Sequence, residues 1–352
     1  MFHLVLSACL AGAPQTCEPR VLPAGEAPTR KDCEMRASPI ATDWLARHGE
    51  LTGGNASCVE TAQLPALETQ QIAPGVYVHQ GAAEQLSPQN RGRIANLSFV
   101  IGSKTVAVID AGGSRSEGEA LYAAIRKQTD KPISHLILTH MHPDHILGAE
   151  VFSEAGAAIL ANARLSDAAA QRAATWMQSI PEQIGAAAFA GTHFANVDHG
   201  ISQPLTVDLG RRSLHLTPVP VAHTDNDLTV RDDGSGTLFA GDLVFGGLTP
   251  SLDGSLTGWL KWLAAPPEPR PALVVPGHGA VGEDWDKTSA PTRAYLGALG
   301  DQTRAALAAG LPLSQAVQAI AKAMQPLAGE WVDFDAVTAR NIPAAYAELE
   351  WE

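Results

Sequence analysis

Three features of this sequence predict an α/β fold: two sheets packed face to face with helices outside, a small disulfide-stapled α+β module in front, and a helical C-terminal extension. Two series of short β-branched runs alternate with helical stretches. All four cysteines, Cys9, Cys17, Cys33 and Cys58, fall within the first 58 residues. After position 289 the apolar residues recur at helical spacing. With 352 residues, 45% of them apolar, the chain can bury a sizeable core. A formal charge of −13 and the lack of a Lys/Arg-rich stripe argue against nucleic acid as a ligand, because that binding rests on neutralising phosphates.

Residues 1–60 read as strand, turn, strand, helix, strand, the helix covering 29–48 with Trp44 and Leu45 on its apolar side. An even number of cysteines in so short a stretch is the pattern of a disulfide-stapled module, which persists in an oxidising compartment. The close C-x-x-C pairs of a zinc knuckle are missing, and three disulfide pairings stay open. A periplasmic or secreted location follows. Residues 6–9, LSAC, look like a lipoprotein cleavage box. Only eight residues precede Cys9 and none is Lys or Arg, so residues 3–10 read instead as the first strand, any natural leader being removed or upstream. No stretch is long enough to span a membrane.

Residues 61–71, with Pro65 and few apolar side chains, read as a linker into a domain over 72–286. The runs 75–80, 96–102 and 105–110 are punctuated by glycine and predict consecutive strands. A helix over 116–129 follows, and the apolar strand 133–138 leads into LTHMHPDHI at 138–146. Next come a helix at 146–155, a strand at 157–161 and an alanine-rich helix at 164–180. The second strand series covers 205–209, 213–219, 228–231, 237–240 and 274–276. The extension, 287–352, is helical, with Leu296, Leu299, Ala306 and Leu307 on one stripe and Pro312 and Pro326 as breaks.

The six positions 140–145 hold three histidines and an aspartate, ligand types that zinc accepts at about 2.0–2.2 Å. His140 and His142 alternate and project the same way. Asp144 and His145 come one step later, where a helix begins, and project to a second point. Three strand-terminal residues complete the count: His223, His278 in PGHG, and Asp242, whose two oxygens can bridge two ions. The expected arrangement is His140, His142 and His223 on one ion, Asp144, His145 and His278 on the other, and Asp242 between them. A shared hydroxide generated near neutral pH would then attack the substrate, with Asp144 and Asp242 as the catalytic carboxylates and no protein nucleophile. Iron or manganese are alternatives to the two zinc ions. His3, His48, His79, His135, His193, His199 and His215 lack a partner pattern and read as structural or exposed, although His193 and His199 lie on a loop that could reach the site. Asp110 and Thr139 are placed to orient a ligand imidazole from behind, or to cap a turn. Asp253, Ser255 and Trp259 form a substrate rim, or open a helix by capping. Trp262 reads as core.

These motifs resemble the metallo-β-lactamase superfamily: THMHPDH, the lone His223, Gly241-Asp242 and PGHG at 276–279, over about 71–283. The resemblance implies an αββα sandwich with a dinuclear site at one edge. Residues 222–229, 241–245 and 250–260, with the cysteine-bearing module, are similar to quinoprotein-associated zinc metallohydrolases related to the sulfur-oxidation-operon hydrolase. That similarity implies a periplasmic enzyme with a small-molecule substrate and a quinoprotein or cytochrome partner bound through the module. Lactamases with a cysteine ligand place it where this chain has Asp242, and aspartate there is the pattern of thioesterase-like members. The implied reaction is hydrolysis of an ester, thioester or amide. The alternatives are β-lactam hydrolysis, which the similarity of HTDNDL to a lactamase segment keeps open, a partner-binding maturation factor, and a mononuclear iron sulfur dioxygenase.

Overall fold

The computed structural model of the chain describes residues 1–352. Strands β1 (Phe2–Leu10), β2 (Ala13–Ala27) and β3 (Leu51–Glu60) form an antiparallel sheet in the order β2-β1-β3, crossed by helix α1 (Arg30–Arg47). Thr29 starts α1 by accepting a hydrogen bond from the Asp32 amide. Alternation along β1 sends Leu4, Leu6 and Ala8 toward Trp44 of the helix, while Val5 and Val59 pack on the main body. The disulfides pair Cys9 with Cys17 and Cys33 with Cys58.

The first large sheet uses β4 (Gln70–Ala73), β5 (Val76–His79), β6 (Leu97–Ile101), β7 (Val106–Ile109), β8 (Ile133–Leu138), β9 (Ala158–Asn162) and β10 (His199–Ile201), neighbouring in reverse order from β10 to β4. Between its strands lie α2 (Arg115–Gln128), α3 (Pro143–Ile146), α4 (Ala149–Glu154), α5 (Leu165–Ile184) and α6 (Ala186–Phe189). The second sheet runs β11 (Leu205–Asp208), β12 (Ser213–Pro218), β13 (Leu228–Asp232), β14 (Thr237–Phe245) and β15 (Leu273–His278), with α7 (Leu256–Ala264) before β15. Helices α8 (Trp285–Ala308), α9 (Leu313–Met324) and α10 (Phe334–Leu349) close the chain.

The period of two along each strand explains the four layers. In β7, Val106 and Val108 face the core beneath α2, whereas Ala107 and Ile109 face the other sheet. In β14, Leu238 and Ala240 meet the C-terminal helices while Phe239 points between the sheets. Strands buried on both faces therefore carry continuous apolar runs, and helices cover both outer surfaces, giving the αββα order.

Several expectations need correction. Residues 61–71 are no open linker: Leu64 and Leu67 are buried against α2, the Leu67 amide donates to the Ala120 carbonyl, and β4 begins at Gln70. The helix expected over 146–155 is two, α3 and α4, separated at Leu147-Gly148. The loop carrying His199 contains β10, which pairs in parallel with β9. Strand β14 continues past Ala240 to Phe245, because parallel pairing with β15 resumes beyond Gly241. Helix α8 starts at Trp285, where Asp284 caps it by accepting from the Lys287 amide.

Candidate metal centre

Parallel strands β7 and β8 lie side by side, so their C-terminal ends place Asp110 next to Thr139. Asp110, at φ 60°, accepts from the Thr139 amide and hydroxyl at 2.8 Å each, and lies 2.8 Å from His145 Nδ1. One buried carboxylate thereby fixes the start of the THMHPDH loop and the tautomer of its last histidine. The Thr139 hydroxyl, having donated to Asp110, can accept from His140 Nδ1 at 3.0 Å. His223 Nδ1 lies 2.7 Å from the Ser251 carbonyl and His278 Nδ1 2.8 Å from the Ile94 carbonyl. A carbonyl or carboxylate can only accept, so these rings carry their hydrogen on Nδ1 and turn the Nε2 lone pair inward. His142 is reversed: Nε2 meets Asp253 at 3.1 Å and Nδ1 points inward, 3.0 Å from His223 Nε2.

Asp242 stands where these lone pairs converge. Its Oδ1 is 3.1 Å from His145 Nε2, and its Oδ2 is 3.4, 3.5 and 3.6 Å from Nε2 of His278, His223 and His140. Two glycines make room for it. Gly241 has φ 54°, and a Cβ there would come within 2.8 Å of Thr139. A Cβ on Gly277 would lie 1.8 Å from Asp242 Oδ1. Asp144 Oδ2 lies 3.4 Å from His278 Nε2 and 3.7 Å from His145 Nε2.

The side chains divide into two groups whose ligand atoms lie within 4.8 Å of one another: His140, His142, His223 and Asp242, and Asp144, His145 and His278. His140 Nε2, His145 Nε2 and Asp242 Oδ1 are buried without a hydrogen-bond partner. Such atoms are costly unless something positive sits among them. Inward lone pairs, orphaned atoms and an imidazole–carboxylate donor set all fit divalent cations of the zinc type. Burial holds His140 well below the usual imidazole range and lowers His223 to about 3, keeping both in the neutral, ligating form. Burial acts to raise Asp242, but His278, His145 and His140 outweigh it and hold the carboxyl well below the usual carboxylate range.

The site opens into a cleft of about 480 Å³. His142, Asp144, Asp242 and His278 line its floor, Arg172 and Trp176 of α5 one wall, Leu248 to Asp253 another, and Arg340 and Asn341 of α10 the rim. Asp253 faces this space, where it also pairs with Arg172 at 2.5 Å. Burial acts to raise Asp253, but His142 and Arg172 outweigh it and lower it to about 2. Ser255 caps α7, accepting from the Gly258 amide, is held by Glu348 at 2.7 Å, and does not line the cleft. Trp259 is wholly buried beneath His223, with ring centroids 5.1 Å apart and Nε1 bonded to the Leu243 carbonyl, and is likewise no part of the rim. Trp262 packs half-buried against the C-terminal core. His193 lies at the seam with the N-terminal sheet, 4.6 Å from the stacked His48 ring, and His199 is exposed on β10. Arg172, Arg340 and Asn341 carried no signal in the sequence, each lying in an ordinary helical stretch.

A sequence profile described as the Metallo-beta-lactamase superfamily matches residues 91–278. The chain belongs to that superfamily. Among solved structures, this superfamily member is similar to the stereoselective inverting sec-alkylsulfatase Pisa1 from Pseudomonas sp., at 16% identity and TM-score 0.62 over 80% of this chain and 50% of that one. It is also similar to a metallo-beta-lactamase from Pontibacter korlensis, at 20% identity and TM-score 0.52 over 65% of this chain and 98% of that one. At such identities the likeness is one of fold. A linear primary-alkylsulfatase from Pseudomonas sp. (strain ATCC 19151) is 42% identical over 45 residues, which are 13% of this chain and 8% of that protein.

Proposed function

We propose that this metallo-β-lactamase superfamily member is a metal-dependent hydrolase that holds two zinc ions and cleaves an ester, thioester or amide-type bond. One ion would be held by His140, His142 and His223, the other by Asp144, His145 and His278, with Asp242 shared. The observation that carries the reading is the position of Asp242, one oxygen toward His145 and the other toward His140, His223 and His278. Two such ions would supply Lewis acidity and lower the pKa of bound water to about 7. Asp110 keeps His145 in the ligating tautomer, and Thr139 does the same for His140. Asp253 aims His142 from the cleft side. With Oδ2 directed at His278 and His145, Asp144 retains Oδ1 to accept a proton at the cleft floor. An aspartate at 242, in place of cysteine, favours an acyl hydrolase of broader type over a dedicated lactamase. The two disulfides and the similarity over 222–229 and 250–260 support a periplasmic setting in a quinoprotein pathway.

A second reading, sulfate-ester hydrolysis, is favoured by the 42% identity over 45 residues to the alkylsulfatase and by Arg340 in the cleft lining, which suits an anionic group. A hydrolysis panel of thioesters, lactones, β-lactams and alkyl sulfates, run on the zinc-loaded wild type and on Asp242→Ala, separates these. Thioester or lactone turnover that Asp242→Ala lowers by about 10²–10³ is the expected outcome. Turnover of alkyl sulfates alone would replace the acyl reading with the second one.

A further inference from the structure

The seam between the N-terminal sheet and the main body holds a separate convergence of imidazole and carboxylate. His48, which follows α1, Glu150 on α4 and His193 on the loop after α6 bring ligand atoms within 4.8 Å of one another. His48 Nδ1 lies 2.8 Å from the Trp44 carbonyl. A carbonyl only accepts, so the ring hydrogen sits on Nδ1 and Nε2 presents its lone pair. That lone pair faces Glu150 Oε2 at 3.3 Å, an oxygen that also accepts from Arg115 at 3.2 Å, and a proton or a cation between nitrogen and oxygen satisfies both. His223 and His278 are anchored in the same way in the cleft, Nδ1 on a backbone carbonyl and Nε2 toward carboxylates. It is the means by which proteins orient metal-binding imidazoles.

Glu119, Glu150 and Glu154 contact the guanidiniums of Arg20 and Arg115, while Glu50, half exposed, meets His193 at 3.1 Å. The His48 and His193 rings stack 4.6 Å apart at 10°, so two imidazolium charges would lie face to face. One divalent cation engages both rings and Glu150 without that repulsion. The His193 loop is held in place: the Arg115 amide donates to the Thr192 hydroxyl at 3.0 Å. Glu50, 3.1 Å from His193 Nε2, adds an oxygen at the outer side. His48 is fully buried while His193 is one-third exposed, so an ion has a way in.

We propose that His48, Glu150 and His193, with Glu50 at the opening, form a divalent-cation site of zinc-type chemistry that fastens the N-terminal module to the helix following the THMHPDH loop. Zinc alone is the probe. The chelator-stripped full chain is loaded with zinc, desalted and analysed for metal, wild type beside His193→Gln, and both are melted with and without zinc. His193→Gln should hold about one zinc fewer per chain and lose part of the zinc-dependent rise in Tm, while its chelated form melts as the wild type does. Equal zinc content in the two chains overturns the proposal, whatever the cleft holds. A His140→Ala, His145→Ala background, lacking a donor from each cleft group, should still bind about one zinc and lose it when His193→Gln is added. A folded background chain that binds none also overturns it.

Discussion

The hydrogen on each imidazole is decided by a neighbour, and that makes single residues behind the site consequential. Asp110 receives bonds from Thr139 and His145. Asp110→Ala should weaken zinc binding at the His145 group by about 10–100-fold, measured by competition with a chromophoric chelator. Glu117, buried in the first turn of α2, is pushed up by burial to about 8 and accepts from the Gly113 amide at 2.8 Å. Glu117→Gln should cost under about 1 kcal/mol and Glu117→Ala about 1–3 kcal/mol in urea unfolding, since only the second leaves that amide unbonded. The imidazoles and Asp242 were legible in the sequence because their chemistry is marked by residue type and strand-end position. Of the two readings open for the rim, capping holds for Ser255, while Trp259 shows why the other looked possible: near a site motif, a buried tryptophan looks like a substrate contact until its depth is known. His48 and His193 gave no signal, being 145 positions apart along the chain.

Elements carry the next level of consequence. β1 and β3 lean on α2 through His3, whose Nε2 is 2.9 Å from Thr61 Oγ1 and whose other nitrogen faces the Tyr122 hydroxyl, itself bonded to Glu26. Burial lowers His3 from its ordinary value to about 4. The unfolded chain then binds a proton that the folded chain refuses between pH 6.5 and about 4. The contribution is therefore complete above 6.5 and is lost as the pH falls toward 4. Melts at pH 7.5 and 4.5 should show a loss, up to about 3 kcal/mol from this group, that is smaller in His3→Gln. Removing the Cys33–Cys58 link by Cys33→Ala and Cys58→Ala should cost about 2–4 kcal/mol, read as a lower Tm. Strands with a period of two and helices with clear caps were predictable. β10 and the extension of β14 were not, because a three-residue edge strand and a strand continuing through a left-handed glycine are set by their partners, β9 and β15, and not by local pattern.

At the scale of the whole molecule, two sheets deliver the candidate ligands from opposite sides of one seam. β7 and β8 supply Asp110 and the THMHPDH loop, β14 and β15 supply Asp242 and His278, and the C-terminal helix α10 roofs the cleft with Arg340 and Asn341. Asn341 binds this roof to the loop below it through the Leu252 amide and the Pro250 carbonyl, so neither metal group would stay aligned if sheets and extension separated. The layered order was readable from two strand series and a helical tail. The contribution of α5 and α10 to the cleft was not, since it depends on how those helices pack. The central claim is that Asp242 is shared by two ions, and zinc content measures it most directly. In a His193→Gln chain, where only the cleft is counted, about two zinc ions per chain are expected. Adding Asp242→Ala should leave at most about one, with kcat/KM lower by about 10²–10³ on any accepted substrate. Retention of both ions at full occupancy in the Asp242→Ala chain would contradict the account.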